Sequence, residues 1–173
     1  MGDFEEILTG GHPNSLGRTI EVVECVLSST DRFAELFACY ESDDEVVRLR
    51  VSNAMKRVEA ANHGLLLPYI DRFIEEIGAL DQASAQWTLA QLFHKLERDM
   101  SPHQLSGALA IMKRNLEHHN DWIVLNHTIE TLAEWAKSDQ LLKAWLLPHL
   151  ERLSHDPRKS VANRAKKKLK LLA

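Results

Sequence analysis

The chain has 173 residues, of which 45% are hydrophobic and 27% are charged, and its formal net charge is −4. This balance is typical of a folded soluble domain and excludes a disordered or linker-rich chain, and no apolar run approaches the roughly 18 residues that a membrane span needs. The segment from Met1 to Thr9 is acidic and lacks the apolar core of a secretory signal, so we expect a cytoplasmic protein that does not contact a membrane.

Capping residues and apolar segments predict helices along the whole chain. A short helix near 3–8 and a longer one at 16–27 come first. Starts are then marked by Ser42 with Glu45, Asp81, Ser101 with Pro102, Asn120 or Asp121, and Asp156 with Pro157. After residue 30 the predicted helices alternate between a first helix A and a second helix B: 31–40 with 43–58, 63–78 with 82–97, 102–118 with 121–136, and 140–154 with 158–172.

The B helices share a motif that begins at Val47, Ala85, Val124 and Val161, at intervals of 38, 39 and 37 residues. Mainly small or apolar residues recur at offsets of four, seven, eight and eleven from each start. These positions are Val51, Ala54, Met55 and Val58; Leu89, Leu92, Phe93 and Leu96; Thr128, Thr131, Leu132 and Trp135; and Ala165, Lys168, Leu169 and Leu172. A repeat of about 40 residues with helical spacing predicts stacked pairs of helices with a buried stripe along each B helix.

The A helices contain an internal repeat of their own. The segment 66–73 reappears as 146–153, displaced by 80 residues, and each copy carries a proline, Pro68 or Pro148. Because proline removes a backbone hydrogen bond and pushes against the preceding turn, we expect both A helices to bend at the same place.

The pattern resembles the HEAT repeat family. The resemblance is carried best by Asp44, Val47, Arg48, Ser52, Ala54 and Met55, and it covers about residues 31–173. It implies an all-α fold, a right-handed α-α superhelix of about four helix pairs with residues 1–30 as an N-terminal cap, in a single domain of residues 1–173. In the last copy Lys168 stands where the family has a small buried residue, and we interpret it as part of a polar cap at the end of the repeats.

In such a solenoid the B helices line the concave face, which implies a binding surface on the side chains that project away from the buried stripe. These side chains, with the nearby Trp87, are Arg50, Asn53, Arg57, Gln91, Lys95, His127, Glu130, Glu134, Arg164 and Lys167. We expect a groove with basic ends and an acidic middle, so Arg50→Glu should change the free energy of unfolding by no more than about 0.5 kcal/mol. The alternative is an ordinary solvated helix face.

The basic residues are concentrated at the C-terminal end of the chain. From Arg158 onward there are seven basic residues and no acid, whereas the rest of the chain has 14 basic and 25 acidic residues. Such asymmetry can mark an interaction surface, and it makes nucleic-acid binding through the last helix an open possibility.

The sequence contains no motif for ordinary catalysis. It lacks a phosphate-binding Gly-rich loop and a Gly-x-Ser-x-Gly elbow, and the cluster at 118–121 lacks metal-ligand spacing, so we expect no catalytic residue, cofactor or metal. The leading hypothesis is a non-catalytic scaffold that binds a protein or peptide on its concave face. One alternative is a nucleic-acid-binding protein or an enzyme resembling the HEAT-like alkylpurine DNA glycosylases, with Trp87 or Trp122 and Glu130 facing a damaged base. Another is a subunit whose last apolar stripe completes a partner's solenoid.

Overall fold

A computed structural model describes residues 3–173, which form α-helices and short 3₁₀ helices with no β-strand. The α-helices are α1 (Asp3–Leu8), α2 (Thr19–Ser28), α3 (Phe33–Ala38), α4 (Glu45–Ala61), α5 (Ile70–Glu75), α6 (Ala83–Leu96), α7 (Pro102–His118), α8 (Trp122–Ala136), α9 (Gln140–Leu153) and α10 (Lys159–Leu172). The 3₁₀ helices are Thr30–Arg32, Cys39–Glu41, His63–Tyr69, Ile77–Ala79 and Glu97–Asp99. The predicted all-α class is confirmed. Within residues 3–173, no helix combines the length and apolar character needed to cross a bilayer.

The chain divides into two compact units, one ending at Thr88 and the other running from Leu89 to Ala173. In the first unit α4 packs against α1 and α2, and in the second α8 packs against α7, α9 and α10. The predicted stripe is the core of both units, since every motif position on α4, α6, α8 and α10 is buried except Leu169, which is half-buried.

Helix starts follow the predicted caps at α7 and α8 but not at α4 or α10, because the N-cap of α10 is Arg158, without a side-chain cap bond, and not Asp156. Ser101 forms a full capping box with Gln104, and Asp121 caps α8 by accepting hydrogen bonds from the amides of Ile123 and Val124. The predicted capping box of Ser42 with Glu45 is wrong, because Asp44 is the N-cap of α4 and accepts from the amide of Val46 at 2.8 Å. The Ser42 hydroxyl instead accepts a hydrogen bond from the amide of Asp44, the N-cap residue itself.

The two copies of the proline motif have different structures. Pro68 lies in the 3₁₀ helix His63–Tyr69, whereas Pro148 lies inside the continuous helix α9. In α9 the helix is already two turns long before the proline, while only His63–Leu67 precede Pro68 in its helix. Gly64 also stands where the other copy has Ala144, and glycine is a much poorer helix former than alanine. The sequence repeat therefore does not extend to the helix type.

Candidate binding site

Arg50 on α4 is buried, with 1% of its surface exposed, so the prediction that it projects into solvent is wrong. Its guanidinium donates four hydrogen bonds to backbone carbonyls, one at the last residue of α1 and three in the segment that joins α1 to α2. Nη1 lies 2.6 Å from the carbonyl oxygens of both Leu8 and Gly10, and Nη2 and Nε lie 3.2 Å from those of His12 and Ser15 respectively. The segment folds back over this face of α4, and such a contact between residues 35 to 42 apart leaves no trace in a helical repeat pattern.

The segment held by Arg50, residues 9–18, is exposed at every position, and we call it the glycine loop. Gly10, Gly11 and Gly17 all have positive φ, a region that other residues adopt at a cost. At Gly17 a Cβ atom would lie 2.8 Å from the Arg50 guanidinium carbon, so glycine is also required there for space. A solvent-exposed loop is thus built on a buried charged side chain, which favours a single loop conformation.

The glycine loop forms one wall of a pocket of about 360 Å³, which we call the loop pocket. Its apolar lining includes Pro13 from the loop, Val46 and Leu49 from α4, and Trp87 from α6. Trp87 itself is half-buried. Of the proposed binding residues in the first unit, Trp87 alone lines this pocket.

The polar lining of the loop pocket has a fixed part and a free part. Arg48 donates from Nε to Gln82 Oε1 at 2.5 Å and from Nη1 to the Ser42 carbonyl, and Gln82 donates in turn to the Glu45 carbonyl at 3.0 Å. These contacts join the start of α4 to the residues just before α6. In contrast, the side chains of Asn14, Glu45 and Asp81 have no partner among residues 3–173. They are available to a ligand.

Asn53 and Arg57 lie further along α4, outside the loop pocket. Arg57 Nε donates to Asn53 Oδ1 at 2.7 Å, one helical turn away. Arg57 is exposed and Asn53 is half-buried, so this pair belongs to the surface of α4 as predicted.

A second pocket in the first unit, of about 430 Å³, is lined by Cys39 and by the acidic side chains of Glu5, Glu35, Glu41 and Asp43. Burial, with a smaller contribution from Glu5 and Glu35, raises the pKa of the Cys39 thiol to about 11. A thiol with so high a pKa stays protonated at neutral pH and is a poor nucleophile. This pocket therefore offers no reactive cysteine.

In the second unit, three of the predicted binding residues come together with two lysines, and we call the group the α8–α10 ion network. Glu130 accepts from Arg164 Nη1 at 2.6 Å and from Lys168 Nζ at 2.5 Å. Glu134 lies 3.5 Å from Lys168 Nζ and 2.6 Å from Lys137 Nζ. Lys168 is 4% exposed, so its interpretation as a polar end cap is wrong. Lys168 does lie in the buried stripe, and the carboxylates of Glu130 and Glu134 on α8 neutralise its ammonium group.

The ion network changes what the predicted acidic middle of the groove can do. Burial opposes ionisation of Glu130, but the hydrogen bonds from Lys168 and Arg164 outweigh it and hold the pKa of Glu130 below its usual value. The hydrogen bond from Lys137 lowers the pKa of Glu134 as well. Each carboxylate oxygen of Glu130 thus already accepts a hydrogen bond from a basic side chain of α10.

The remaining predicted residues are spread over the second unit. Gln91 and His127 are half-buried, whereas Lys95 and Lys167 are exposed. Trp122, at the start of α8, is half exposed and belongs to the same unit. None of these residues lines the loop pocket.

The loop pocket was missed by the repeat pattern, since the glycine loop lies outside the repeats. A signal was nevertheless present. Three of the seven glycines fall at positions 10, 11 and 17, around a Pro13-Asn14 pair, in a chain otherwise poor in glycine. Such clustering predicts a structured loop with left-handed residues.

No protein-family model matches this chain, and comparisons with curated proteins and with solved structures give no match either.

Proposed function

We propose that this chain is a non-catalytic binding module of HEAT-like architecture that recognises a protein or peptide segment in the loop pocket. The architecture would be a right-handed superhelix of about four helix pairs, with α1 and α2 as the N-terminal cap. It is supported by the alternation of A and B helices and by the buried stripe that recurs on all four B helices. This proposal places the binding surface in one pocket, whereas the sequence predicted it along the B-helix faces of the whole chain.

The observation that carries the proposal is the support given to the glycine loop by Arg50. A buried arginine with four backbone acceptors fixes the conformation of a loop whose ten residues are all exposed and contribute no side chain to the core. Loops held by a rigid scaffold commonly carry binding residues, and a preorganised loop reduces the entropy lost when a partner binds. The loop pocket is where this rigidity would be useful.

The lining of the loop pocket is that of an anchor pocket in a protein interface. Pro13, Leu49 and Trp87 provide apolar and aromatic contact area, and the free side chains of Asn14 and Asp81 provide hydrogen-bonding groups. Interface anchors are typically buried in such pockets, surrounded by polar groups that fix their orientation. One side chain of the partner would occupy the pocket while its backbone contacts Asn14.

Selection from a phage-displayed library of random 12-residue peptides on the purified full chain tests the proposal. We expect enriched peptides whose affinity, measured by isothermal titration calorimetry, falls at least about tenfold in Trp87→Ala, since an interface tryptophan contributes on the order of 2 kcal/mol. Trp122→Ala is the matched control, because this tryptophan is half exposed on α8 in the other unit, and affinity should stay within about twofold.

Asn14→Ala, on the exposed loop, provides a second variant whose effect on folding should be small, and it is expected to weaken binding in the same direction as Trp87→Ala. Failure to enrich any peptide, or enriched peptides that bind both variants as tightly as the unchanged protein, would overturn the proposal.

A further inference from the structure

The basic residues at the end of the chain fall into two groups in the structure. Arg158 is paired with Asp156 at 2.8 Å, and Arg164 and Lys168 are paired with Glu130 in the α8–α10 ion network. The other four, Lys159, Lys166, Lys167 and Lys170, are exposed and have no ion-pair partner among residues 3–173. Only these four charges are fully available to a partner.

The four free lysines share one side of α10, and we call this side the lysine face. At about 100° per residue, Lys159, Lys166 and Lys170 lie within about 40° of one another around the helix axis, and Lys167 lies about 60° from Lys170. With a rise of about 1.5 Å per residue, the face extends about 16 Å along the axis from Lys159 to Lys170. The lysine face is therefore a compact, linear array of positive charge.

The opposite side of α10 is committed to the core. Val161, Ala165 and Leu172 are buried, and α10 packs on α8 and α9. The apolar side that an interfacial helix would insert into a bilayer is thus covered by protein, and a single exposed leucine, Leu171 at the edge of the lysine face, is too little to replace it. This arrangement disfavours a lipid surface as the partner.

A protein partner is also disfavoured by the composition of the lysine face. Specific protein interfaces have a desolvated apolar or aromatic centre, whereas the exposed residue that lies among these lysines is Asn163. A surface that offers positive charge without an apolar centre fits a regular polyanion. Duplex DNA, with one negative charge per about 1.7 Å of helix axis, is such a polyanion.

We propose that the lysine face binds the phosphate backbone of duplex DNA without reading its sequence. Lysine makes point-charge contacts to phosphate, and no arginine of α10 is left free to read a base edge. This site lies in the second unit and is independent of the loop pocket, so either proposal can fail without affecting the other.

The ion pairs give this proposal a quantitative signature. Counterion release predicts a slope of log K against log salt of about −0.9 for each neutralised phosphate, hence about −3.6 for four free lysines and about −6.3 if all seven basic residues took part. Between 50 and 200 mM salt, the first slope corresponds to a loss of about 150-fold in affinity and the second to about 6000-fold. The salt dependence therefore counts the charges used.

Fluorescence anisotropy with a labelled 20-base-pair duplex of arbitrary sequence, titrated with the full chain at several salt concentrations from 25 to 200 mM, measures this slope. We expect about −3.6 for the unchanged protein and about −1.8 for the double variant Lys166→Gln, Lys170→Gln. The matched control is Lys95→Gln, Arg98→Gln, which removes two exposed cations of the same unit outside α10 and should leave the slope unchanged. All four substitutions are at exposed positions, so the melting temperature should not move.

Absence of binding at 25 mM salt would overturn the proposal, as would a slope near −6.3 or a slope that the Lys166, Lys170 variant leaves unchanged. Phosphatidylserine vesicles at the same salt concentrations are the competing probe. Binding to vesicles without binding to the duplex would show that the lysine face binds a lipid surface and would overturn the proposal of DNA binding.

Discussion

The ammonium group of Lys168 is buried and depends on two carboxylates of α8. The side chain of Lys168 is 5% exposed, while those of Glu130 and Glu134 keep 38% and 29% of their surface in solvent. A buried charge that loses its partner destabilises the folded state strongly, whereas replacing the buried charged side chain by an apolar one of similar size is often nearly neutral. Loss of Glu130 and loss of Lys168 should therefore have different effects.

We expect Glu130→Gln to lower the free energy of unfolding by about 2 kcal/mol, because Lys168 keeps only its longer contact to Glu134. Lys168→Met, of similar length, should cost less than about 1 kcal/mol, since Glu130 retains its ion pair with Arg164. Urea denaturation of the two variants at pH 7 measures both values. Equal losses, or a larger loss for Lys168→Met, would contradict this account of the network.

The loss of stability caused by Glu130→Gln should also depend on pH. Because the pKa of Glu130 is lower in the folded chain than its usual value, its stabilising effect is fully present above about pH 4.3 and is lost as the pH falls through the folded-state pKa. The difference in stability between the unchanged protein and Glu130→Gln should thus shrink below about pH 4. A difference that stayed constant down to pH 3 would show that the ion pairs are not its source.

Arg50 shows the limit of what could be predicted for single residues. The expectation that side chains facing away from the buried stripe are exposed placed Arg57 correctly at the surface of α4, yet Arg50, two turns earlier on the same helix, is buried. This expectation describes packing between helices, and the group that covers Arg50 is a loop outside the repeats. Lys168 was similarly ambiguous, since a lysine in a buried stripe is compatible both with a cap and with an ion pair to a neighbouring helix.

The proline motif is an element-scale case in which one sequence pattern gives two structures. Gly64 does not have a positive φ, and an added Cβ would meet only Asn62 Oδ1 at 3.7 Å. Gly64 and Ala144 occupy equivalent, exposed positions before the prolines Pro68 and Pro148. They therefore form a natural pair for measuring how much this position contributes to each helix.

We expect Gly64→Ala to raise the free energy of unfolding by about 0.5 kcal/mol, since alanine restricts the unfolded chain and favours the helix. Ala144→Gly should lower it by about 1 kcal/mol, because the change falls inside the α-helix α9. Thermal denaturation of both variants provides the measurement, with shifts of a few degrees in opposite directions. Destabilisation by Gly64→Ala would mean that the 3₁₀ segment requires glycine.

Most helices could be predicted from the sequence because their signals are local. Ser101 with Gln104 and Asp121 cap α7 and α8 as their residue types predict. At α4 the local signal was ambiguous, since both Ser42 and Asp44 can cap a helix. The choice depends on which residue stands directly before the first helical residue, Glu45, and that residue is Asp44.

At the scale of the whole molecule, the 40-residue repeat predicts the core of both compact units and contains no information on the glycine loop. The loop pocket lies in the unit that ends at Thr88, and the lysine face lies in the unit that begins at Leu89. The loop pocket depends on the long-range contacts of Arg50. The lysine face depends on which basic residues of α10 are not paired with carboxylates of α8. Neither kind of information is periodic, so the candidate site was less predictable than the fold.

The most direct test of the account is the affinity of a peptide selected on the unchanged protein for Arg50→Lys and for Arg57→Lys. Both substitutions keep the positive charge on α4, but a lysine at position 50 cannot hold four carbonyls, whereas the hydrogen bond of Arg57 is to Asn53 on the same helix. We predict that Arg50→Lys weakens binding at least about tenfold at a temperature where the variant is folded, and that Arg57→Lys leaves affinity within about twofold. Equal affinities for the two variants would contradict the claim that Arg50 builds the binding site by holding the glycine loop.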